Sequence, residues 1–235
     1  QAVAAIRSEA KSNFIGAVGK DDAGRAMLEL LEHENIDMSG IETLDNQSTG
    51  QAYIVVDDAG ENQIMIHAGA NTAFTPDYVQ SKADLIKGSD FIIAQFESSL
   101  DSVTEAFKIA REAGVKTILN PAPAVEKVPS DLLAVTDMII PNETETEILT
   151  GIEVTDEASM KKASKALHDE GIEAVLITIG SKGTFYDVNG KSGIVPAFKV
   201  KAVDTTSAGD TFIGAMSTVL NKDFGNLEDA ILYGN

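Results

Sequence analysis

The chain has 235 residues, with no cysteine, no tryptophan, and only 18 Lys and Arg against 37 Asp and Glu. Without cysteine there is neither a disulfide framework nor a thiolate metal site. A formal charge of -19 sets up a general field that repels nucleic acid and anionic membrane surfaces. Phosphate can then be recognised only at contact range, by backbone amides and a metal ion. No apolar run approaches the length of a membrane span, and residues 1–5 lack a basic region followed by an apolar one. A cytoplasmic protein with no nucleic-acid partner and no membrane partner is expected. The histidines His33, His67 and His168 are scattered, which argues against a transition-metal centre. GxxxxGK[ST], GxGxxG after a strand, HExxH and GxSxG are all missing, so the common phosphate-loop, dinucleotide, zinc-protease and serine-hydrolase readings lack their motifs.

What is present is an alternation of strand and helix patterns. A helix at the start gives way to a strand over Asn13–Val18 and an amphipathic helix reaching Glu34. Gln51–Asp57 and Asn62–His67 alternate with period two and are joined by Asp58-Ala59-Gly60, the pattern of a hairpin. From Pro76 the spacing predicts a helix to Lys87, a strand over Phe91–Gln95, a helix over Leu100–Glu112 and strands over Thr117–Leu119 and Met138–Ile140. Helices from near Asn142 and over Asp156–Glu170 follow, then a strand over Ala174–Ile179, an antiparallel hairpin over Thr184–Val188 and Gly193–Pro196, and a strand over Phe198–Val203. The sum is an α/β fold: a single domain over residues 1–235, built on a doubly wound, mostly parallel sheet flanked by helices, with a small β lid over residues 41–67. The exposed edge of that lid makes a homodimer through it an expectation. In such a sheet ligands bind beyond the carboxyl ends of the strands, where Glu97, Asn120, Asn142, Glu145, Gly180, Gly183 and residues 204–210 fall.

The most informative stretch runs from Asp204 to Met216, a turn into a helix. Small residues at Ser207, Ala208 and Gly209 let the backbone approach a ligand, and the first amides of a helix are unpaired donors at the positive end of its dipole. Asp210 among them could take a proton from a hydroxyl while the amides hold a transferring phosphoryl group; the plainer reading is a helix cap.

This stretch, Asp204-Thr205-Thr206-Ser207-Ala208-Gly209-Asp210-Thr211-Phe212, resembles the C-terminal signature of the ribokinase-like carbohydrate kinases. Gly16 to Gly24, His67-Ala68-Gly69-Ala70-Asn71, Asn120-Pro121-Ala122-Pro123-Ala124 and Pro141-Asn142-Glu143-Thr144-Glu145 are similar to that family in the same order. The resemblance implies ATP-dependent phosphorylation of a pentose, with D-ribose to D-ribose 5-phosphate foremost; a nucleoside or another sugar, or a non-catalytic binding relative, is the alternative. It further implies a chain lacking the family's N-terminal and C-terminal portions.

By the same resemblance Glu97 contacts the sugar, although a partnered carboxylate at a strand end fits it equally well. Asn142 and Glu145 organise Mg²⁺ near the phosphates, where spacing alone reads them as dipole partners of a helix. Thr178, Gly180, Ser181, Lys182 and Gly183 line the nucleotide together with Asn142 and Gly209; Lys182 is as readily a solvated turn residue. Asp204 and Thr206 correspond to positions that bind K⁺ or a similar monovalent cation, though an Asp before Thr is also a common turn former.

Overall fold

Residues 1–56, 62–202 and 204–235 are described in a computed structural model of the chain. Helix α1 (Ala2–Arg7) leads to β1 (Asn13–Gly19), α2 (Asp22–His33), β2 (Asp37–Leu44) and the pair β3 (Gln51–Val56) and β4 (Asn62–His67). Then come α3 (Pro76–Ser81), α4 (Ala83–Lys87), β5 (Phe91–Ala94), α5 (Leu100–Glu112), β6 (Lys116–Leu119), α6 (Ser130–Leu133) and β7 (Met138–Ile139). The chain continues through α7 (Glu143–Thr150), α8 (Glu157–Asp169), β8 (Ala174–Thr178), β9 (Thr184–Val188), β10 (Lys191–Val195), α9 (Ala208–Val219) and α10 (Leu227–Gly234).

Alternate side chains of the central strands part to opposite faces, and both faces are covered. Ile118, Met138, Ala174 and Leu176 pack against Phe212, Ile213 and Met216 of α9 and Ile231 of α10. Leu119, Ile139, Val175 and Ile177 point the other way, onto Phe107 of α5, Leu132 of α6, and Met160 and Leu167 of α8. Each such fully buried side chain contributes about 1.5–3 kcal/mol of transfer free energy. The strands form one six-stranded sheet in the order β10-β9-β8-β7-β6-β5. Its β5 to β8 pairings are parallel, and β9 and β10 close it with antiparallel pairings. β1 and β2 form a separate parallel pair, whose Ala17 joins Val79, Ile86, Ile109 and Ala110 in a third cluster under α3, α4 and α5.

The doubly wound, mostly parallel α/β fold and the β3–β4 hairpin are therefore present, with local differences. The helix predicted over Pro76–Lys87 is two helices, divided at Lys82. β2 forms where no strand is predicted, and residues 41–44, assigned to the lid from sequence, pair with β1. β3 and β4 pair antiparallel from Gln51↔His67 to Val56↔Asn62, while the Asp58-Ala59-Gly60 turn lies outside the described residues. The strand predicted over Phe198–Val203 does not form in its described part, 198–202. Phe198 and Val200 are 61% and 80% exposed: their alternation finds no neighbouring strand to pair with and no surface to bury against.

Candidate active site

Ser207 occupies the position before α9 in the left-handed region, with φ 59°, and its side chain makes no cap. That kink turns the exposed loop into the helix. The Ala208 amide is used at once, donating to the Thr205 carbonyl at 3.1 Å, and Thr211 donates to Ser207 at 2.9 Å. The backbone amides of Ser207, Gly209 and Asp210 have no partner among the described residues. Of the three residues expected from sequence to offer amides to an anion, Ala208 spends its N–H within the turn, while Ser207 and Gly209 keep theirs. A Cβ added at Gly209 would meet nothing within 4 Å, so the first turn faces open space.

Asp210 is half-buried. Its Oδ1 accepts from Gln1 Nε2 at 3.0 Å and from Gln95 Nε2 at 3.3 Å. Gln1 Nε2 also donates to Asn120 Oδ1 at 3.2 Å, and Asn120 Nδ2 donates to the Ile140 carbonyl at 3.1 Å. Glycine at position 214 brings Gln1 this close, since a Cβ there would stand 2.4 Å from the Gln1 carbonyl and 2.7 Å from Ala4 Cβ. Among the described residues no Lys or Arg forms an ion pair with Asp210. Glu97, just past β5, is exposed. Partial loss of water around its carboxyl pushes its pKa up, and the Asp210 charge pushes it further. The two acids are therefore near enough to sense each other. Gln1 and Gln95 are missed by reading the sequence; the only available signal is that Gln95 lies two residues before Glu97 at a strand end, the spacing that shares a face.

Asn142 and Glu145 bond to each other. Asn142 N donates to Glu145 Oε2 and Glu145 N to Asn142 Oδ1, both at 2.8 Å, a closed capping box that opens α7. Glu145 is buried, and burial pushes its pKa up despite the Asn142 amide, which pulls it down. Its second oxygen and the Asn142 Nδ2 group carry no hydrogen bond among the described residues. Two such residues are too few to cage an ion, and no group of three or more His, Cys, Asp or Glu suited to a metal occurs among the described residues. The pair suits Mg²⁺, which keeps several waters and takes its remaining ligands from phosphates.

Asn142 bridges to Thr178 in parallel register, which places the β8 loop beside the α7 start. In that loop Gly180 has φ 56° and open space around it, whereas Gly183, at φ 111°, lies against the Val195 carbonyl, 2.0 Å from where a Cβ would be. Ser181 and Lys182 are exposed, and Lys182 Nζ reaches Glu143 Oε1 at 3.8 Å. Asp204 accepts from Thr206 N at 2.8 Å, and that bond to the backbone holds its carboxyl below the usual range. The structure thus gathers Glu97, Asp210 and Gly209 at one point and Asn142, Glu145, Thr178 and Gly180 at another, with Asp204 and Thr206 on the exposed loop.

The family model described as pfkB family carbohydrate kinase matches residues 1–235. The chain is 45% identical over 235 residues to the ribokinase of Staphylococcus aureus, covering all of this chain and 77% of that protein. It is also 45% identical to the bifunctional ribokinase/ribose-5-phosphate isomerase A of Fructilactobacillus sanfranciscensis, covering all of this chain and 43% of that protein. The solved structure of Arabidopsis thaliana ribokinase complexed with ribose and ATP superposes with a TM-score of 0.92 at 26% identity, over 98% of this chain and 75% of that one.

Proposed function

The chain belongs to the pfkB family of carbohydrate kinases, and from that premise we propose that it carries the catalytic core of an ATP-dependent ribokinase, a phosphotransferase with an alcohol acceptor. The observation that carries the reading is Asp210, held by neutral amides in the first turn of α9 and near enough to Glu97 for their charges to interact. Its 45% identity to a ribokinase supports ribose as the substrate.

In this reading Glu97 accepts a hydrogen bond from a ribose hydroxyl, and Asp210 faces the primary hydroxyl. Asp210 accepts that proton as the hydroxyl oxygen bonds to the terminal phosphorus of ATP, and the bridging P–O bond breaks with its electron pair leaving on ADP. The free amides of Gly209 and Asp210 receive the charge on the moving phosphoryl oxygens. The loop of Thr178, Gly180, Ser181, Lys182 and Gly183 lines the nucleotide. Mg²⁺ would supply positive charge to neutralise the phosphates, and Asn142 and Glu145 would hold it through ordered water. Asp204 and the Thr206 carbonyl would hold K⁺ or a similar cation, which stiffens the loop leading into α9.

Residues 1–235 act as one ribokinase-like unit, with the β3–β4 pair serving as a lid that keeps water from the phosphoryl group. That pair exposes Tyr53, Ile54, Val55, Met65 and Ile66, each more than half exposed, and this apolar surface supports a homodimer formed through the lid. No helix of the described residues is long and apolar enough to cross a membrane, and dependence on ATP suits the cytoplasm. The test is ATP consumption by the protein with D-ribose, Mg²⁺ and K⁺, set against adenosine and fructose. Ribose-dependent consumption supports the reading; consumption with another acceptor alone moves the substrate, and none with any of them overturns it.

A further inference from the structure

Asp210 is fixed by an ordered run of neutral amides, and the direction of each hydrogen bond follows from its neighbour. The Ile140 carbonyl can only accept, so Asn120 presents its NH₂ there at 3.1 Å and turns its oxygen to Gln1. Gln1 must then present its own NH₂, which spans Asn120 Oδ1 at 3.2 Å and Asp210 Oδ1 at 3.0 Å. Gln95 adds a second NH₂ to the same oxygen at 3.3 Å. Both donors fall on Oδ1, while Oδ2 has no partner among the described residues.

We propose that Gln95 and Gln1 are positioning residues for phosphoryl transfer: by pinning Oδ1 they aim the free Oδ2 of Asp210 at the acceptor hydroxyl. This rests on the kinase reading above. Uncharged donors suit the task. A Lys or Arg in their place would orient the carboxylate but also favour its ionised form strongly, weakening it as a proton acceptor. The charged group facing Asp210 from the surrounding elements is Glu97; Gln1, Gln95 and Asn120 are neutral. Pinning matters because a base displaced by about 1 Å can lose on the order of a hundredfold in rate.

The test uses the full-length protein with Gln95→Leu and Gln95→Glu. Gln95→Leu should lower kcat roughly ten- to a hundredfold with KM for ATP unchanged. Gln95→Glu keeps the shape but sets a second carboxylate beside Asp210, so the acid limb of the kcat–pH profile should move up. A glutamine out of contact with the base would leave that limb in place, and a merely structural one would lose stability in Gln95→Leu without the fall in kcat at unchanged KM. Carboxyl ¹³C titration of Asp210, assigned by loss of its signal in Asp210→Asn, gives a readout independent of turnover and should move up in Gln95→Glu. An unmoved titration, or Gln95→Leu within twofold of wild type in kcat, overturns the proposal. If wild type lacks ribose-dependent turnover, the kinase reading fails, and the aiming role built on it falls with it, even where the titration shows the contact to be real.

Discussion

Asp137 and Asp210 sit at opposite ends of the central sheet and are held in opposite ways. Asp137, just before β7, is 8% exposed. Its Oδ2 accepts from Thr117 N at 2.9 Å, and its Oδ1 lies 3.3 Å from Arg111 and 3.6 Å from Lys116. Lys116 in turn reaches Glu173 at 2.7 Å and lies over the Phe224 ring. Every oxygen there is engaged. Asp210, at the carboxyl end, has one oxygen held by neutral amides and one without a partner among the described residues, beside a Glu97 that nothing compensates. At Asp137 the carboxylate is wholly taken up by its neighbours, whereas Asp210 keeps one oxygen without a partner among the described residues.

Substitutions should separate the two ends by what they damage. The largest effect is expected for Asp210→Asn, which removes the proton acceptor in a shape the site still fits. ATP-dependent ribose phosphorylation should fall by about 10³-fold, with the melting temperature nearly unchanged and nucleotide binding, followed by calorimetry, intact. Near-normal turnover would show that the open carboxylate is not the base.

Asp137→Ala should do the reverse. It leaves Arg111 and Lys116 without their shared anion and the Thr117 amide without its acceptor, at a cost of about 3 kcal/mol. Denaturant unfolding should report that loss while turnover per folded molecule stays close to wild type. A large fall in turnover with unchanged stability would break the division between the two ends.

Gly214→Ala falls between them. The added methyl meets the Gln1 carbonyl and Ala4, so α1 must shift from α9. Overpacking of this kind costs about 1–3 kcal/mol, and turnover should drop as well, because Gln1 leaves Asp210. Loss of stability alone would mean that Gln1 contributes nothing to the open end.

The closed parts of the molecule were the legible ones. The helix predicted over Leu100–Glu112 has the observed bounds, because its apolar stripe repeats at helical spacing and its partners lie on both sides. Ala174–Thr178 is buried on both faces, apart from its last residue, and reads as one apolar run. Phe198–Val203 carries the same β-forming residues, yet no strand forms over its described part, since pairing needs a neighbour that alternation cannot supply. β2 escaped notice because its apolar residues, Met38, Ile41 and Leu44, recur every third residue rather than every second. At the open end, Asp210 stood out through its local motif. Its supporting amides come from residues 209 and 115 positions away, a separation at which no local pattern exists.

The smallest effect is expected at Glu97, where only the sign matters. Its carboxyl titrates above the ordinary value of 4.5, through loss of water first and the Asp210 charge second. Below about pH 4 the group is protonated in both the folded and unfolded chain and costs nothing. Between the ordinary and the raised value the folded chain keeps a proton that the unfolded chain has released, so stability falls as pH rises through that window. Above it the penalty stays constant. Glu97→Gln removes the penalty, and its melting temperature relative to wild type should therefore rise as the pH climbs from the ordinary value of 4.5 through the raised one, and then level off. Because the carboxyl is partly open to water, the difference should be slight. A difference that falls over the same range would mean that Glu97 is favourably held, like Asp137, and that the carboxyl end is not open at this position.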